Sequence, residues 1–212
     1  MPFWFSFSFQ DRISPQIEEI IFFHDHAMMV AIMVSVLSFY CISSFILSRA
    51  FDAGKVEAYF LERGWTIAPI VTLLLLGLPS LSLLYKMEER RDLSGTLKVT
   101  GHQWYWSYDW LSDRNTGLDV KGKILKSSLF NCLATDKIVT LPVGRLIRST
   151  VTSNDVIHSW ALPSLGVKVD SVPGRLRQVI ISSKKRGLAV GQCSEICGTN
   201  HSFIPIVLLF KL

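Results

Sequence analysis

Two stretches of the chain carry no charge at all: Ala27–Ser48, 22 residues long, and Trp65–Tyr85, 21 residues long. About 20 apolar residues in a helix cross a hydrocarbon layer roughly 30 Å thick, so each stretch predicts a membrane-spanning helix. A buried helix of a soluble core would need a far larger protein to cover it on every side. Pro69 and Pro79 fall inside the second stretch. In a membrane the carbonyls they free are satisfied by neighbouring helices, which predicts packing against a partner.

From residue 92 the pattern changes to short β-type runs: Leu97–Thr100, Ile138–Leu141, Arg145–Ser153, Leu176–Ser182 and Phe203–Phe210, separated by turn residues. Brief strands with no long helical period between them predict an all-β Greek-key sandwich or barrel. The expected organisation is an N-terminal segment 1–26, spans 27–48 and 65–85 joined by loop 49–64, a linker 86–91, and one β-domain 92–212. No internal repeat or low-complexity tract is visible.

Composition agrees with a mixed architecture: 49% of residues are hydrophobic, 18% are charged, and mean hydropathy is +0.34. The first arginine is Arg12, so neither a cleaved secretion signal nor an Arg-rich transit peptide is expected. Residues 92–212 hold 15 Lys and Arg against 8 Asp and Glu. No nucleic-acid-binding motif accompanies that excess, and a surface facing anionic lipid suits it, so a lipid bilayer and no nucleic acid is expected as partner. Loop 49–64 carries three charges of each sign, which leaves the orientation of the spans open.

Of four cysteines, Cys41 lies in the first span, where it reads as a small buried hydrophobe, and Cys132 has no obvious partner. The informative string is Cys193-Ser-Glu-Ile-Cys197-Gly-Thr-Asn-His201, with His158 upstream in Asp155-Val-Ile-His158-Ser-Trp160. Two thiolates and two imidazoles suit copper or zinc, and Asp155 and Ser159 stand where they could fix the histidine tautomer. A Cys193–Cys197 disulfide and a structural zinc site are the alternatives, and spacing alone does not name the metal. The run Gly101-His-Gln-Trp104-Tyr105-Trp106-Ser-Tyr108 packs four aromatics into five positions, readable as core or membrane-interface packing.

The string Gly191–Pro205 resembles the binuclear copper loop of cytochrome c oxidase subunit II, and further segments agree along nearly the whole chain: Phe9-Gln-Asp11, Phe23-His-Asp-His26, Trp65-Thr-Ile, Leu78-Pro-Ser-Leu, Gly101–Tyr108, His158-Ser-Trp160 and Pro173-Gly-Arg175. The resemblance implies a two-helix transmembrane hairpin in the mitochondrial inner membrane, followed by a cupredoxin-like β-domain in the intermembrane space. It implies that His158, Cys193, Cys197 and His201 hold two coppers, with the Glu195 carbonyl as a weak further ligand. The Glu195 carboxylate would reach a magnesium ion shared with subunit I. Trp104 would receive the electron from cytochrome c, and Glu62 would stand at the mouth of a proton pathway into subunit I. Tyr105 and Trp106 are expected as supporting core.

Three positions or properties depart from the family pattern. Ile204 stands where the family has a methionine copper ligand, Ile138 where it usually has arginine, and the domain is net basic although the family's docking face for cytochrome c is acidic. Asp109, Asp113, Asp119, Asp136 and Asp155 remain as candidates for a local acidic patch. Two competing functions share this architecture. A copper-free structural subunit of a related oxidase would lack the two cysteines and two histidines; an independent membrane-tethered cupredoxin would not need proline-bearing spans built to pack on a partner.

Overall fold

The structure is a computed structural model, and it describes residues 8–48, 58–88, 93–112, 118–122, 135 and 138–212. These form two compact units. One comprises the chain up to Glu19 together with the chain from Met87 onward; the other is Ile20–Lys86.

The second unit is a helical hairpin built from α1 (Pro15–Leu47) and α2 (Tyr59–Glu88). At 1.5 Å per residue, α1 is about 50 Å long and α2 about 45 Å, each longer than the hydrocarbon layer. Among the described residues, none in the most apolar stretch of either helix is buried, which leaves these surfaces to a lipid bilayer or to other chains. Hydroxyls within the helices bond back to their own backbone: Ser35 to the Ala31 carbonyl, Ser38 to Val34 and Thr66 to Glu62, each at 2.7–2.8 Å. Pro79 has no N–H and therefore leaves the carbonyl of Leu75, four residues earlier, without its helical donor. His26 of α1 fills the gap, its Nε2 donating to that carbonyl at 3.1 Å. The sequence feature that would break a helix in water thus becomes the contact that joins the two helices.

The start of α1 belongs to the first unit. Pro15 occupies the first helical position and Ser14 Oγ accepts the Ile17 N–H at 3.2 Å, an N-terminal cap. The same hydroxyl donates to the Leu165 carbonyl at 2.7 Å, and the Gln16 amide donates to the Ile180 carbonyl at 2.6 Å. Ile13 exchanges backbone bonds with Ser164 and Lys184, and Lys184 pairs with Glu18. Ser14, Gln16 and Ile17 are buried. The β-unit therefore includes a strap of chain that precedes the first span.

The β-unit contains β1 (Leu93–His102), β2 (Tyr105–Ser112), β3 (Leu118–Gly122), β4 (Val139–Pro142), β5 (Leu146–Ser153), β6 (His158–Leu162), β7 (Val167–Ser171), β8 (Arg177–Ile181), β9 (Gly187–Gln192) and β10 (Pro205–Lys211). They form a five-stranded sheet in the order β3-β2-β1-β5-β8, a three-stranded sheet β4-β10-β9 and the β6-β7 hairpin. Two pairs, β1 with β5 and β4 with β10, are parallel; the rest are antiparallel. Alternation along β1 and β5 sends Leu97, Val99, Ile147 and Val151 inward, where they meet Ile206, Leu208 and Phe210 of β10. Inside the core the Trp160 indole donates to the Tyr108 hydroxyl at 3.4 Å, so each buried polar tip serves the other. Burial holds the Tyr108 hydroxyl well above the usual tyrosine pKa.

Candidate metal centre

All five residues of β6 are buried, because this strand lies beneath the loop that joins β9 to β10. That loop is closed at its base by the Cys193 N–H donating to the Ile204 carbonyl at 3.1 Å, and tied to β6 by the Ser194 N–H donating to the Ser159 carbonyl at 3.0 Å. Gly191 makes the approach possible. A Cβ there would lie 1.8 Å from the Ala161 carbonyl oxygen, so any side chain would force β9 away from β6.

The result brings together side chains from positions 158 and 193–201. Potential ligand atoms of His158, Cys193 and Cys197 all lie within 4.8 Å of one another, and all three residues are buried. His158 Nδ1 is 3.9 Å from Cys193 Sγ, and His201 Nδ1 is 3.5 Å from Cys197 Sγ. The Glu195 carbonyl oxygen lies 3.4 Å from Cys193 Sγ, while the Glu195 side chain is exposed. Both thiols are unbonded to any other sulfur. His158 uses Nε2 to donate to Asp155 Oδ1 at 2.8 Å, which leaves Nδ1 turned toward the sulfurs. Ser159 directs its hydroxyl to Asp170 instead, at 2.9 Å.

The electrostatics are asymmetric. Burial works against the Cys193 thiolate, but hydrogen bonding to His158 and the loop outweighs it and brings the pKa down to about 6. Cys197 goes the other way, pushed up to about 12 by burial and by the neighbouring Cys193 sulfur. His158 is raised despite burial, by Cys193 and then Asp155. Without a cation, the pocket favours one thiolate and one thiol; a bound cation is what would release the second proton.

The other expected residues lie apart from the ligand set. Trp104 sits half-buried at the turn between β1 and β2, and a Cβ on Gly198, beside Cys197, would be 3.2 Å from its Nε1. Trp106 is core and meets the His158 ring edge-on, with centroids 5.7 Å apart; Tyr105 is half-buried and stacks on His102 at 4.6 Å. Glu62 is exposed in the first turn of α2, in the hairpin unit, next to Arg63, which lies over the Tyr59 ring at 4.1 Å. Ile204 is fully buried and offers no heteroatom to a metal. Of the acidic candidates, Asp109 pairs with Lys98 at 3.9 Å and Asp155 is committed to His158; the side chains of Asp113, Asp119 and Asp136 lie outside the described residues, as does Cys132. Sequence reasoning missed Gln103, whose side chain donates to the Cys197 carbonyl at 2.8 Å from 94 positions away; no local pattern signals such a bond.

Comparison with known proteins agrees with this arrangement in both units. The family described as cytochrome C oxidase subunit II, periplasmic domain, matches residues 95–210, and the corresponding transmembrane domain matches residues 2–83. Among solved structures, the chain is similar to the periplasmic domain of subunit II of cytochrome oxidase of Bradyrhizobium japonicum. Identity is 39% and the TM-score 0.54, over 57% of this chain and 86% of that one. It is similar also to subunit II of cytochrome c oxidase in a mixed disulfide intermediate with a thioredoxin-like protein, at 37% identity and a TM-score of 0.51, over 58% and 86% of the two chains. With a transmembrane hairpin, a β-domain and a buried His/Cys/Cys cluster in the matching regions, the chain belongs to the cytochrome c oxidase subunit II family.

Proposed function

We propose that the chain is the electron-accepting subunit of a cytochrome c oxidase, with a binuclear copper centre held by His158, Cys193, Cys197 and His201 and, more weakly, by the Glu195 carbonyl. The observation that carries this reading is the state of His158: Asp155 occupies Nε2, and Nδ1 faces a buried pair of free thiols. The donor set fits copper, since thiolate and imidazole are soft and borderline ligands. Copper held there would supply a one-electron redox centre between cytochrome c as donor and the haem of subunit I, where dioxygen is reduced.

The chain's own residues prepare that centre. Asp155 fixes the His158 tautomer, the Ile204 and Ser159 carbonyls fix the loop, and the buried core beneath excludes water. Trp104, half-buried beside Gly198 of the loop, is the aromatic to which we assign receipt of the electron. The exposed Glu195 carboxylate is free to reach a magnesium ion shared with subunit I, and Glu62 to gather protons at the opposite membrane face. The apolar helices pack on subunit I and other oxidase subunits within the lipid bilayer, in the mitochondrial inner membrane, with the β-domain in the intermembrane space.

Copper loading of the full chain in detergent tests the proposal. Two coppers per chain and a mixed-valence near-infrared band are expected; a single zinc, or reduced thiols that refuse copper, would refute it. Trp104→Ala should slow reduction by cytochrome c at least tenfold in stopped flow while leaving two coppers in place.

A further inference from the structure

We infer that Gln103 is a positioning residue that ties the metal-binding loop to the turn carrying Trp104, holding the aromatic and the Cys197 ligand as one body. The inference rests on the metal centre proposed above. Gln103 Nε2 donates to the Cys197 carbonyl at 2.8 Å. The backbone N–H of the same residue donates to Asp155 Oδ2 at 2.5 Å, and Asp155 Oδ1 accepts from His158 Nε2 at 2.8 Å and from the Val156 N–H at 2.6 Å. One residue of the β1–β2 turn thus touches both segments that supply ligands, 52 positions away at Asp155 and 94 away at Cys197.

Gly198 shows that this approach is built in. Its φ is +123°, a conformation other residues rarely adopt, and a Cβ there would stand 3.2 Å from both Gln103 Nε2 and Trp104 Nε1. A side chain at 198 would press on both, and each would have to give by a few tenths of an ångström.

Physically, the loop needs such a tie. Residues Cys193–Asn200 belong to no strand, so their carbonyls have no ladder to hold them. The Ser194 bond to Ser159 anchors the first half, and the Gln103 bond anchors the second, at the residue that is itself a ligand. Gln103 is exposed, so its side chain adds little to the core, and removing it tests position rather than packing. Groups that hold metal ligands from outside typically change affinity 10–100-fold when removed.

The experiment uses the full chain in detergent with Gln103→Met, of similar length without a donor, and Gln103→Glu, whose carboxylate would face the Cys197 carbonyl oxygen. In the metal-free protein, hydrogen exchange at Glu195–Asn200 should rise at least tenfold in both variants, more in Gln103→Glu, while the melting temperature stays within a few degrees of wild type. After loading with copper alone, affinity should fall about tenfold and the copper hyperfine pattern should change. Wild-type exchange and spectra in both variants would overturn the inference. A broad loss of protection across the β-strands would also overturn it, in favour of a packing role. Failure of the wild-type chain to bind copper would instead refute the metal centre, and the exchange result would still decide the role of Gln103.

Discussion

At the scale of single residues, Asp155 shows how one carboxylate fixes both the His158 ring and a pH limit. Partial burial works to raise its pKa, but bonds from the His158 ring and from the Val156 and Gln103 N–H groups hold it below the usual carboxylate range. A carboxyl with a depressed folded pKa stabilises the protein above its unfolded value of about 3.9 and loses that stabilisation as pH falls through the folded value. Melting curves of the metal-free protein should therefore decline more steeply below about pH 4 than those of Asp155→Asn. Parallel acid limbs would mean that the bonds to Asp155 add nothing. Ile204 raises a different question. The mitochondrial origin proposed above bears on it, because in many mitochondria the codon AUA specifies methionine, and the chain has 18 isoleucines against 5 methionines. Peptide mass spectrometry of the protein from its source is expected to find methionine at 204; isoleucine there would mean a copper centre without the thioether, with a shifted potential.

Among elements, the two helices are joined by a complementary defect. Leu75 lacks a helical donor because of Pro79, and His26 supplies one. Hydrogen bonds between membrane helices are worth roughly 0.6–1.7 kcal/mol, so His26→Leu should loosen the hairpin by about that much in bicelles. Pro79→Leu restores an N–H to the Leu75 carbonyl, and on that background His26→Leu should cost almost nothing. Equal effects of His26→Leu on both backgrounds would show that the bond is incidental. In the β-unit, Gly191→Ala puts a methyl 1.8 Å from the Ala161 oxygen. It should lower copper retention together with stability, because β6 carries His158 and β9 runs directly into Cys193, two of the proposed ligands; isolated loss of either would contradict the shared cause.

At the scale of the whole molecule, the strap formed by Ile13, Ser14 and the first turn of α1 makes the β-unit depend on chain from the far end of the sequence. Gln16→Ala leaves the Ile180 carbonyl buried without its donor, which should cost about 1–3 kcal/mol. A β-domain melting transition lowered by several degrees in the full chain is expected, and an unchanged transition would show the strap to be idle.

Much of this was legible in the sequence, and for a definite reason. The spans follow from uncharged runs, and strands β1, β4, β5, β8 and β10 from short β-type runs bounded by turn residues, because both signals are local. The four candidate ligand positions were visible as a spaced motif, and the resemblance to the family turned that motif into an expected copper centre. Strand β6 showed no alternation because both its faces are buried, and the side-chain hydrogen bonds of Gln103, of His26 and of the strap join residues 49 to 170 positions apart. No periodicity encodes which distant backbone carbonyl a side chain will serve. Only the tertiary structure decided that, because the choice depends on where packing leaves a carbonyl without a donor: beside a proline, at a loop with no ladder, or under the end of a capped helix.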